Sequence, residues 1–147
     1  MAYHNILVPV DGSETSYVAV AKAVEFAKAF GSKITVVQVL TLDPYIAAEY
    51  ISAHQTNDLI ERARTMVLES LNAAKAKFSE QGIEVDAKLL EGQVIHREIM
   101  NAAEECHADL IIMGSHGRTG LKKLFLGSVA QSILSESTIP VLIVRQA

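Results

Sequence analysis

Apolar and polar positions fall in blocks along this chain, and the blocks alternate between a short period and a long one. Asn5-Ile6-Leu7-Val8-Pro9-Val10 is a brief run rich in Ile and Val, closed by Asp11-Gly12-Ser13, which predicts a buried strand and a turn. Pro9 counts against a strand interior because proline has no N–H to give a ladder, but it stands near the end of the run. Ser13 suits a helix N-cap and Glu14 the first turn; that helix extends to about Phe30, with Val20, Val24 and Ala27 on one face and Gly31 as its stop. Lys33 to Val39 predicts a second strand, and Leu40 to about Gln55 a long connection. Asn57 to Phe78 is a long amphipathic helix, in which Leu59, Ala63, Met66, Val67, Leu71, Ala74 and Phe78 recur at helical spacing and are expected inside. Glu84 to Leu90 reads as a shorter, more exposed strand. Val94 to Cys106 reads as a helix with Ile95, Ile99, Ala102 and Cys106 inward. Asp109 to Met113 is the most apolar strand; a glycine-spaced loop from Gly114 to Gly127, a helix from Ser128 to about Ser135 and a strand from Ile139 to Val144 complete the chain.

The order is β-α-β-α-β-α-β-α-β. Such alternation predicts an α/β fold, an open parallel five-stranded sheet with helices on both faces. Ligands of such sheets lie outside the carboxyl ends of the strands, where the winding reverses. The turn after Val10 and the loop after Met113 are therefore the places to look for chemistry.

With 147 residues the expectation is one domain spanning 1–147, large enough to bury a core without disulfide or metal staples. Half the residues are apolar and a fifth are charged, a globular composition. One cysteine excludes an internal disulfide framework and a cysteine-rich zinc module. A net charge of −4 argues against a protein built to grip nucleic acid, and no apolar run reaches a membrane span. The opening Met1-Ala2-Tyr3-His4-Asn5 shows no basic segment or signal-like apolar stretch, so a soluble, cytoplasmic protein is expected, with no membrane insertion.

Between Gly114 and Gly127 four glycines fall in fourteen positions, ahead of a helix that begins near Ser128. Glycine lets backbone amides approach a ligand closely, a helix N-terminus attracts anions, and Arg118 can add a charged contact; together these suit a polyphosphate. Neither Gly-x4-Gly-Lys-[Ser/Thr] nor the Gly-x-Gly-x-x-Gly of a dinucleotide site occurs. Ser128-Val129-Ala130-Gln131 also has the spacing of a capping box, which would commit Ser128 to its own helix. On the residues alone, a phosphate cradle and a purely structural loop stand equally open.

Ile6-Leu7-Val8-Pro9-Val10-Asp11-Gly12-Ser13, Asp109-Leu110-Ile111-Ile112-Met113-Gly114-Ser115-His116-Gly117-Arg118 and Ile139-Pro140-Val141-Leu142-Ile143-Val144 carry a further signal. With these segments the whole chain resembles the universal stress protein family. Its ATP-binding branch carries Gly-x2-Gly-x9-Gly-[Ser/Thr], and Gly114, Gly117, Gly127 and Ser128 stand at that spacing. The resemblance implies a Rossmann-like sheet of order 3-2-1-4-5 and ATP as cofactor, with or without Mg²⁺. It further implies Asp11 on the adenosine side, Val39 offering backbone groups to the base, and Pro9 and Val10 lining that pocket. Gly114, His116, Gly117 and Arg118 would lie near the ribose and α-phosphate, and Gly127, Ser128 and Val129 would give amides to the β- and γ-phosphates.

No residue is assigned a catalytic role and none a metal. Asp43 and Asp58 could serve magnesium only if the fold happened to bring them together. His4, His54, His96 and His107 read as surface histidines without zinc-helix spacing, and Cys106 as a buried, inert thiol. The expected function is an ATP-binding stress-response or regulatory module. The alternatives are a slow ATPase or phosphotransferase, against which stands the lack of an evident general base, and a dimeric interaction module that needs no nucleotide. The apolar run Ile139 to Val144 would lie at a sheet edge with open N–H and C=O groups, so a homodimer through this strand is expected. A further protein partner stays open.

Overall fold

A computed structural model of the chain describes residues 3–41, 53–115 and 126–145. The elements run β1 (Asn5–Pro9), α1 (Glu14–Phe30), β2 (Lys33–Leu40), α2 (Ala53–Ser79), β3 (Val85–Glu91), α3 (Ile95–Glu105), β4 (Leu110–Gly114), α4 (Ser128–Glu136) and β5 (Val141–Val144). The five strands form one sheet in the order β3-β2-β1-β4-β5, every neighbouring pair parallel. This is the Rossmann-like order expected above.

The period of two along each strand divides the core between two faces. Ile6 and Val8 of β1, Ile34 and Val36 of β2, and Leu110 and Ile112 of β4 face α1 and α2, where they meet Ala19, Val20 and Ala23 and then Val67, Leu71 and Phe78. Leu7, Val37, Ile111 and Met113 face the other way, against Ile99, Ala102 and Ala103 of α3 and Ala130 and Ile133 of α4. β1 is thus buried on both faces, as the centre of a parallel sheet must be.

Local chemistry sets the ends of the elements. Ser13 caps α1, its Oγ accepting from Ser16 N–H at 3.2 Å, and Gly31 closes the helix in the left-handed region at φ 65°. The Asp109 carboxylate accepts from the N–H groups of His4 at 2.8 Å and Asn5 at 3.1 Å, tying the start of β1 to the start of β4. Pro9 is the last residue of β1. Val10 donates its N–H to Val37 O at 2.8 Å, so by alternation the Pro9 nitrogen faces β4. The β1–β4 register stops at Leu7 and Ile111. The proline has no N–H with which to carry it further, and the two strands part there.

Several expectations need correction. β5 begins at Val141, because Ile139 is held in a local turn, its N–H donating to Ser137 Oγ and its O accepting from the same hydroxyl. Met66 and Ile95, read as inward, are 57% and 37% exposed. Cys106 is half-buried rather than buried. His96 is more than a surface histidine: its Nε2 lies 3.0 Å from Glu136 Oε2, linking α3 to α4. The connection between Leu40 and Gln55 lies mostly outside the described residues.

Candidate functional site: a cleft at the carboxyl end of the sheet

Parting β1 from β4 opens a cleft of about 630 Å³ between the two helical layers. Its walls come from the ends of β1, β2 and β4, from the middle of α2, and from the first turns of α3 and α4. Of the residues expected at a site, Pro9, Val10, Asp11, Val39, Gly114, Gly127, Ser128 and Val129 all line this one cleft. His116, Gly117 and Arg118 lie outside the described residues.

Each is placed by local structure. Asp11 follows β1, is half-buried, and accepts the Ser13 N–H on Oδ1 at 2.9 Å. That bond fixes the carboxylate beside the α1 cap, in a turn for which Gly12 supplies φ 83°. Gly114 ends β4 against the first turn of α1. A Cβ built there would stand 2.7 Å from Thr15 Cγ2 and 3.0 Å from Thr15 O, so the helix leaves no room for a side chain.

The start of α4 differs from the capping box expected above. The N-cap is Gly127, at φ −64° and ψ 160°, and no side chain caps the helix. Gly127 N–H donates to Ser115 O at 2.7 Å, which anchors the chain one residue earlier than the box requires. Gln131 does not reach back to Ser128; its Nε2 donates to Leu126 O at 2.6 Å. Ser128 is therefore the first helical residue and its hydroxyl is not spent on a cap. By helix geometry the N–H groups of Ser128, Val129 and Ala130 face out of the helix end, and all three residues line the cleft. That end carries the positive pole of the α4 dipole.

Other wall residues escaped the sequence reading. Gln38, Ser70, Ser16 and Thr41 add polar groups, and Met66 and Ile95 hold their apolar side chains at the cleft instead of in the core. Gln38 Oε1 and Ser70 Oγ are buried and have no hydrogen-bond partner among the described residues. The legible signal was Gln38 itself, an amide inside the apolar run Ile34 to Leu40. Among the described residues no group of three or more His, Cys, Asp or Glu side chains could hold a metal ion. Among the same residues no helix is long and apolar enough to cross a membrane.

What the cleft can do chemically follows from its ends. One end offers amides that have no partner within their helix and a positive dipole to an anion; the other offers apolar surface with a few polar groups to a flat, largely apolar body.

Comparison with known proteins points the same way. The model of the family described as "Universal stress protein family" matches residues 2–145. The chain is 34% identical over 145 residues to the universal stress protein MJ0531 of Methanocaldococcus jannaschii, covering 98% of this chain and 83% of that one. The structure of the hypothetical protein MJ0577, a structural-genomics test case, superposes with a TM-score of 0.86 at 30% identity over 100% of this chain and 99% of the other. The universal stress protein of Archaeoglobus fulgidus, solved in complex with dAMP, superposes with a TM-score of 0.68 at 25% identity, covering 98% and 99% of the two chains. On its sequence and its fold alike, the chain belongs to the universal stress protein family.

Proposed function

We propose that the chain is an ATP-binding universal stress protein, a cytoplasmic regulatory module that works as one nucleotide-binding unit. One observation carries this reading: the uncapped N-terminus of α4 at Gly127 opens into the same cleft as Asp11 and Val39. Gly114 and Gly127 bracket the cleft from β4 and α4, at the two ends of the Gly-x2-Gly-x9-Gly-Ser spacing. A relative with 25% identity was solved with dAMP, which supports an adenine nucleotide as the class of ligand.

The residues present fit such a ligand. The amides of Ser128 and Val129 would hold phosphate oxygens, with His116, Gly117 and Arg118 assigned to the same end. Pro9, Val10 and Val39 would line the base, and Asp11 would take the ribose or base, since a carboxylate beside phosphates would be repelled. Any Mg²⁺ would arrive on the phosphates, which would supply it with oxygen ligands beside the several waters such an ion retains.

Binding ranks above turnover. Asp11 is the one carboxylate among the described lining residues, and one of its oxygens already accepts Ser13 N–H. Phosphoryl transfer to water needs a group that orients the nucleophile at the γ-phosphate.

The edge strand β5 makes a second copy of the chain the natural partner. Val141, Leu142 and Ile143 are half-buried in the single chain and border an open ladder edge, so pairing two β5 strands about a two-fold axis would cover them.

Mass spectrometry of the purified protein after denaturation tests the reading. Stoichiometric ATP is the expected result. Protein that emerges empty, and that shows no heat of binding when titrated with ATP, would overturn it.

A further inference from the structure

Gln38 Oε1 and Ser70 Oγ are the buried side-chain atoms that find no hydrogen-bond partner among the described residues, and both residues line the cleft. Native proteins satisfy nearly all such atoms, so two exceptions in one wall call for a cause. Each is half-buried as a residue, and its oxygen is inaccessible in this conformation. The last torsion of a glutamine is broad and a serine hydroxyl turns about χ1, so both oxygens can be brought to face the cleft.

Their position says which part of a ligand they meet. Gln38 stands on β2 beside Val39. Ser70 belongs to α2 and packs over the turn after β1, its Oγ 3.2 Å from where a Cβ on Gly12 would lie. The anion-attracting start of α4 adjoins β4, two strand spacings from β2, or about 10 Å. A nucleotide with its phosphates at α4 puts its base at β2. A glutamine amide matches an adenine edge, accepting from the exocyclic amine and donating to the adjacent ring nitrogen.

Resting on the nucleotide reading above, we propose that Gln38 and Ser70 form the base-selecting end of the cleft and recognise the 6-amino group of adenine. Gln38 Oε1 accepts one amino hydrogen, its Nε2 donates to the neighbouring ring nitrogen, and Ser70 Oγ accepts the other amino hydrogen. The oxygens left unpaired without ligand are then both satisfied.

The test compares ATP with purine riboside 5′-triphosphate, which keeps the ribose and phosphates and lacks the amino group, by calorimetric titration. The parent protein should prefer ATP by about tenfold or more, the worth of one or two hydrogen bonds. Gln38→Leu removes both of its contacts, so it should narrow that preference, weaken the analogue less than ATP through the lost Nε2 bond, and leave the melting temperature of the ligand-free protein unchanged or raised. Ser70→Ala should narrow the preference in the same way and answers the question should the leucine variant not fold. A lowered melting temperature with equal weakening of both nucleotides would mean that the two residues only support the fold, and overturns the proposal. So does a preference left undiminished by Gln38→Leu, or a parent that binds both nucleotides equally. A parent that binds neither overturns the nucleotide reading itself, and that outcome is distinct from a loss of selectivity.

Discussion

Replacing Gly114 with alanine probes how closely α1 is docked on β4, and through it the geometry of the cleft. The added Cβ would stand 2.7 Å from Thr15 Cγ2, 3.0 Å from Thr15 O and 3.1 Å from Thr15 C. Carbon atoms in good contact lie about 3.5–4.0 Å apart, so the first turn of α1 must move by several tenths of an ångström or more. Thr15 cannot swing aside: it is 3% exposed and β-branched, and two of the three contacts are backbone. Overpacking of this kind costs about 1–3 kcal/mol. Alanine recovers about 0.4–1 kcal/mol by restricting the unfolded chain, so the net loss centres on about 1.3 kcal/mol. With a urea slope of about 2 kcal/mol per molar, the midpoint should fall by roughly 0.5–1 M. Adding Thr15→Ser removes Cγ2 and keeps the hydroxyl, so the double variant should regain part of the loss but not all, because the carbonyl contact remains. A Gly114→Ala midpoint equal to or above the parent's, at unchanged slope, would refute the close docking of α1 on β4.

Three further outcomes follow from the same structure. Gly127→Val should abolish ATP binding in calorimetric titration while the circular dichroism spectrum persists; φ −64° is open to any residue, so the loss would come from bulk beside the α4 amides rather than from backbone strain. Asp109→Ala removes the acceptor for the exposed His4 N–H and the part-buried Asn5 N–H and should lower stability to urea by about 1 kcal/mol or somewhat more, chiefly from the Asn5 donor left unmet; no change would mean water replaces the carboxylate. Val141→Lys with Ile143→Lys places like charges along β5, so sedimentation should give a folded monomer where the parent gives a dimer; a parent that is monomeric at high micromolar concentration would sink the β5 pairing.

The sequence made the fold legible because each element carries its own period. Strand-like runs alternate with helical ones, and the β-branched content of Asn5–Pro9 and Leu110–Gly114 marks them as interior strands. Much of the cleft wall was legible for a different reason, since glycine spacing is a discrete pattern that needs no knowledge of packing. What periodicity could not register is where a buried stripe runs out. Met66 and Ile95 sit on the correct helical faces, but those faces extend past the end of the sheet, so the side chains border open space instead of the core. The capping-box spacing from Ser128 to Gln131 misled for a related reason. The capping-box pattern is a local rule, and the bond from Gly127 N–H to Ser115 O, made across the loop, overrides it. Gln38 and Ser70 each looked like a single polar interruption; only the three-dimensional wall puts them in one place.

The proline at the end of β1 has a consequence for how the cleft behaves over time. In most sheets two neighbouring strands could lengthen their ladder by a rung whenever the space between them emptied. Here the covalent structure forbids that rung, because the Pro9 nitrogen turned toward β4 carries no hydrogen. The crevice is therefore written into the main chain and does not depend on an occupant to hold it apart. A ligand arriving there meets walls already in place and has little strand rearrangement to drive, so its affinity is not diminished by the work of opening a closed state.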